Sequence, residues 1–190
     1  MNARNAVLLH GKPKRERYFD SNQPKPHEAN WFPYARDELA ARGYGVVIPE
    51  LPTPYDPNYA DCEEVLDGLP IHEKTLLVGH SLGAGLILRY MSEQRELVVA
   101  KAILVAPWLD PDGKYGDLFK FKIDRDIGER CKSGLIIYYS SDDDRQAQDS
   151  LEKICSSVLD ARYRNIPEYG HFMLGNTMES TEFPELLEEI

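Results

Sequence analysis

Six short, nearly continuous apolar runs punctuate the sequence: Ala6–Leu9, Gly45–Ile48, Thr75–Val78, Ala102–Ala106, Leu135–Tyr139 and Tyr163–Ile166. Runs this short and unalternating suit parallel strands covered on both faces. Helical patterns fill the intervals, over Phe32–Arg42, Tyr59–Leu69, Leu82–Gln94 and Gln146–Leu159, with a last one near Phe183–Ile190. Asn30 and Asn58 stand where N-caps belong, and Gly43 and Gly68 where C-caps belong. Such alternation predicts an α/β fold, a three-layer, doubly wound, mostly parallel sheet of about six strands with right-handed crossovers. No repeat or low-complexity linker breaks the pattern, so the expectation is one domain over residues 1–190.

Composition narrows the function. Hydrophobic residues make up 42% of the chain, too many for a disordered one. A formal charge of −10 argues against nucleic acid or an anionic membrane as partner. Cys62, Cys131 and Cys155 are scattered without a CxxC pair, which indicates neither a disulfide framework nor a zinc site. No stretch approaches the ~18 apolar residues of a membrane span, and Ala6–Leu9 falls short of a signal segment. The expectation is a soluble, cytoplasmic protein. Two irregular stretches, Gly11–Ala29 and Pro107–Arg130, start at the carboxyl ends of strands, where open α/β sheets bind ligands. The first sets Lys12, Lys14, Arg15, Arg17 and Lys25 against Glu16, Asp20 and Glu28, a basic patch in an acidic chain.

The chemistry centres on Gly79-His80-Ser81-Leu82-Gly83, a G-x-S-x-G pentapeptide between a strand run and a helical run. Small flanking residues permit a strained strand-to-helix turn that projects the serine from its apex. A serine needs a base, and the base needs an orienting acid. His171, in Gly170-His171-Phe172, follows the last strand and is the candidate base. His10, His27, His72 and His80 lack that placement, and His80 is expected to point away from the serine. The acid belongs after the fifth strand, where Ser140-Ser141-Asp142-Asp143-Asp144 stands. Asp143 gives the order Ser81, Asp143, His171; Asp142, one residue earlier, and Asp110, after the fourth strand, are alternatives. Three adjacent carboxylates cannot all be buried, so one should be buried and its neighbours wet. A metal reading of this run lacks the spacing of a calcium loop. Oxyanion donors are expected at the backbone N–H of Leu82 and of Lys12, since Pro13 has none and Gly11 allows close approach.

With those pieces placed, the chain resembles the small α/β-hydrolases of the retinoblastoma-binding serine hydrolase type and their bacterial relatives. The matching segments are His10-Gly11, Gly79–Gly83, Ser140–Asp143, Gly170-His171-Phe172 and the tail Thr181-Glu182-Phe183 with Glu185-Leu186. The resemblance implies a minimal hydrolase lacking two leading strands, with strand order 2-1-3-4-5-6, no large cap, and the acid at Asp143. After the acid, Arg145-Gln146-Ala147 replaces the family's usual hydrophobic residue and proline. The function expected is hydrolysis of a small-molecule carboxylic ester through an acyl-enzyme, with no cofactor or metal; a peptidase or thioesterase would use the same groups. The competing expectation is a protein-interaction module that keeps the fold around a slow or vestigial site.

Overall fold

The computed structural model describes residues 3–175 and 177–190. Its strands are β1 (Asn5–Leu9), β2 (Gly45–Val47), β3 (Thr75–His80), β4 (Lys101–Val105), β5 (Leu135–Tyr139) and β6 (Arg162–Asn165). They form one parallel sheet in the order β2-β1-β3-β4-β5-β6. Asn5 is in register with both Gly45 and Thr75, Leu76 with Lys101, Ala102 with Leu135, and Ile136 with Arg162. The chain runs from β1 outward to β2, then returns to β3 on the other side of β1. The crevice at that reversal is where a doubly wound sheet receives ligands.

The helices are α1 (Arg15–Phe19), α2 (Phe32–Ala41), α3 (Tyr59–Asp67), α4 (Leu82–Glu93), α5 (Arg145–Ser157) and α6 (Pro184–Glu188). Strand residues alternate between two cores. Val7, Leu9 and Leu77 pack with Leu66 of α3, Leu86 of α4 and Ile154 of α5. Ala6, Leu8 and Val78 pack instead with Phe32 and Leu39 of α2 and Leu186 of α6. Helix α4 is buried all round because it lies between the sheet and the 107–130 segment, and every residue from Leu82 to Ser92 is buried. Buried Arg89 ties that segment down by donating to the carbonyls of Asp117 and Leu118, at 2.6 and 2.8 Å. Among the described residues no helix is long and apolar enough to cross a membrane.

Several expectations shift. The edge strands are less covered than the rest: β2 is half-buried, and β6 exposes Arg162 and Arg164, both paired with Glu189. Asn58 caps α3 by accepting from Asp61 N–H at 3.0 Å, but Asn30 does not cap α2. Asn30 has φ 54°, and its side-chain oxygen accepts from Leu174 N–H at 3.3 Å instead. Pro33 in the first turn of α2 removes one donor that a cap would have served. The Gly11–Ala29 stretch holds α1 and a 3-10 turn at Pro26–Glu28; α1 buries no residue, so it leaves no hydrophobic period to read.

Candidate active site

Ser81 sits between β3 and α4 with φ 52° and ψ −114°, a conformation that costs a non-glycine residue about 1–3 kcal/mol. Neighbouring backbone holds it there. Its N–H donates to Val105 O at 2.9 Å, and its carbonyl accepts from Gly85 N–H at 3.1 Å and Trp108 N–H at 3.2 Å. Two glycines let the loop after β1 close onto this turn. A Cβ at Gly83 would collide with the carbonyl of Leu9, and one at Gly11 would lie 2.9 Å from His80 Nδ1 and 3.2 Å from Ser81 Cβ.

His171 reaches the serine from the loop after β6. Its Nε2 lies 2.8 Å from Ser81 Oγ, and its Nδ1 lies 2.9 and 3.0 Å from the two carboxylate oxygens of Asp143. The Asp143 side chain is only 3% exposed. Its neighbours are exposed and have other tasks. Asp142 accepts from Ser140 Oγ and from Glu168 N–H, the latter at 3.0 Å, and so steadies the loop leading to His171. Asp144 caps α5, accepting from Ala147 N–H at 2.9 Å. Asp110 instead closes its own turn by accepting from the N–H groups of Lys114 and Tyr115 at 3.0 and 2.7 Å. Asp143, Asp144 and His171 present atoms within 4.8 Å of one another, the only metal-sized grouping among the described residues. Two of the three are already joined by hydrogen bonds and the third is a helix cap.

Two buried histidines that sequence reasoning set aside turn out to shape the site. His80 Nε2 is 2.8 Å from the carbonyl of His171, which can only accept, so His80 carries its proton there and pins the His171 backbone. Burial, reinforced by the neighbouring His171, pushes the His80 value down to about 3. His10 Nε2 accepts from Leu51 N–H at 3.0 Å, so the proton of the neutral ring is on Nδ1 and donates to Gly11 O at 2.9 Å. Burial holds His10 at about 4. The peptide joining Gly11 to Lys12 is trans, so the Lys12 N–H points opposite to the carbonyl that His10 holds. Among the described residues neither Lys12 nor Leu82 donates its backbone N–H to a protein acceptor. The one sequence signal for these roles was a polar ring at each of two strand ends, directly before Gly11 and Ser81.

Ser81 and His171 open into a cavity of about 560 Å³. Phe32, Trp108, Met173 and Pro13 give it apolar walls, while Lys12, Lys14, Arg17 and Asp144 bring charge to it. The lining comes from five stretches far apart in sequence, which is why no local pattern announced it.

A profile of the alpha/beta hydrolase family matches residues 6–127, a span that includes Ser81 and ends before Asp143 and His171. The Bacillus subtilis protein YdeN is 30% identical over 151 residues, covering 76% of this chain and 78% of that one. The structure of the ydeN gene product superposes with a TM-score of 0.75 at 22% identity, covering 97% of this chain and 95% of that one. Est1E from Butyrivibrio proteoclasticus follows at a TM-score of 0.60 and 11% identity, covering 99% and 88%. Esterase B from Lactobacillus rhamnosis, with a tributyrin phosphonate, gives 0.59 and 15%, covering 99% and 73%.

Proposed function

The chain belongs to the alpha/beta hydrolase family, and from that premise we propose that it is a serine hydrolase of carboxylic esters, with Ser81, His171 and Asp143 as its triad. The observation that carries this reading is the unbroken hydrogen-bonded chain from Ser81 Oγ through the imidazole to the Asp143 carboxylate. Ser81 Oγ attacks the acyl carbon while His171 Nε2 takes its proton. The same proton then passes to the departing alcohol, and Asp143 holds the Nδ1–H of the imidazolium. Water, deprotonated by the same ring, releases the acid and restores the serine. The N–H groups of Leu82 and Lys12 receive the oxyanion, and His10 acts as a positioning residue that keeps the Gly11–Lys12 peptide from flipping.

The resemblance to the retinoblastoma-binding serine hydrolase type supports reading the chain as one of the small members of the family, without a large cap. The partner in this reading is a small acyl substrate, and an exposed free thiol at Cys155 suits a reducing compartment such as the cytoplasm. A fluorophosphonate probe tests the reading. Stoichiometric labelling that disappears in Ser81→Ala is the expected result. A folded wild-type protein that neither labels nor hydrolyses any p-nitrophenyl ester is instead a protein-interaction module on a hydrolase fold.

A further inference from the structure

The five basic side chains of the Gly11–Ala29 stretch divide by environment. Arg15 lies over the rings of Tyr55 and Phe19, at 4.8 and 5.5 Å, and Lys25 over Tyr18, at 4.2 Å; neither lines the cavity. Lys12 does line it, with its ammonium 5.0 Å from the centre of the Tyr115 ring. Lys14 and Arg17 also line it, and among the described residues neither forms an ion pair nor sits over an aromatic face. They are three residues apart at the start of α1, Lys14 as its N-cap and Arg17 as its third residue. Among the described residues the one carboxylate in the lining is Asp144, whose side chain already accepts from Ala147 N–H. In a chain of net charge −10, the mouth of this cavity therefore carries an excess of positive charge.

Building on the ester-hydrolase reading, we propose that the preferred substrate is an ester whose acyl chain is apolar near the carbonyl and ends in a carboxylate, which rests against Lys14 and Arg17. The division of labour follows from solvation. Apolar carbons gain by leaving water for the walls formed by Phe32, Trp108 and Met173, whereas a carboxylate at the exposed rim keeps most of its hydration. Lys14 and Arg17 are exposed, so each pairing is screened and worth a few-fold, or about tenfold for the two together. Asymmetric charge at the mouth also speeds the encounter with an anion, an effect that salt removes.

The test compares p-nitrophenyl hydrogen pimelate with the same ester bearing a terminal carboxamide. This chain is long enough to keep the carboxylate off its own ester. The quantity read is the ratio of kcat/KM for the anionic ester to that for the neutral one. It is expected to fall about tenfold in Lys14→Gln/Arg17→Gln, to stay put in Arg15→Gln, and to lose its salt dependence only in the double variant. Affinity of Ser81→Ala for the same two esters, measured by calorimetry, gives a reading that needs no turnover. Should the wild type hydrolyse neither ester while Ser81→Ala still prefers the anionic one through Lys14 and Arg17, the ester-hydrolase reading fails and the anion site stands. Equal loss on both esters, or no change in either readout, overturns the inference.

Discussion

Two imidazoles buried beneath the site make the fold sensitive to mild acid, and His10→Gln isolates one of them. In the unfolded chain His10 has its ordinary value of 6.5, whereas in the fold burial lowers it to about 4. The folded ring therefore stays neutral while the unfolded ring takes up a proton. The resulting stability is fully present above pH 6.5 and is lost as pH falls towards 4. At about pH 5 the unfolded ring is almost wholly protonated and the folded one about one-tenth so, which makes the loss from pH 7 about 2 kcal/mol. His80, lowered to about 3, loses a similar amount, about 2 kcal/mol, over the same interval. Together they remove about 4 kcal/mol from a fold whose total is on the order of 10. Glutamine at position 10 can still accept from Leu51 N–H but does not titrate. Urea unfolding followed by the fluorescence of buried Trp31 gives the stability at each pH. His10→Gln is expected to be the less stable protein at pH 7, with the gap to wild type narrowing by about 2 kcal/mol by pH 5. A constant gap across that range would refute the claim that His10 is held neutral by burial.

Asp143→Asn should lower the rate of ester hydrolysis by about 10⁴, the scale on which other triads respond to loss of the orienting carboxylate. Asp142→Asn keeps an oxygen for Glu168 N–H and should cost less than about tenfold; the reverse ranking in a kcat series would move the acid to Asp142. Gly83→Ala drives a methyl into the Leu9 carbonyl, between two backbones that cannot both yield. It should cost about 2 kcal/mol in urea unfolding and lose activity as well, and wild-type stability would show that the β1 loop and the Ser81 turn are not in contact.

Much of the architecture was legible because the buried strands are almost wholly apolar. Val7 and Ala6 face opposite cores, so the run reads as continuous, and the same holds for β3, β4 and β5. The reading weakens where burial does. Strand β6, with Arg162 and Arg164 outward, starts one residue before the apolar run that announced it, and helix α1, with nothing buried, leaves no hydrophobic period at all. The turn at Ser81 was legible because its strained backbone requires small neighbours, and His171 because it follows the last strand, where the proposed mechanism needs a base. The register of the acid was not fixed by the residues alone, since Asp142, Asp143 and Asp144 are chemically identical until the fold buries one of them. Least visible were the tasks of His10 and His80, which follow from hydrogen bonds to Leu51, Gly11 and His171. Contacts formed by chain segments distant in sequence leave no spacing to recognise.

The central claim is that Ser81 becomes acylated during turnover. Intact-mass and peptide mass spectrometry after acid quench of a p-nitrophenyl ester reaction measures this directly. The account predicts one acyl group per chain, on the peptide containing Ser81, present in wild type, accumulating in variants slowed in deacylation, and missing from Ser81→Ala. Ester hydrolysis that proceeds at wild-type rate in Ser81→Ala, or an acyl group on any other residue, would contradict it.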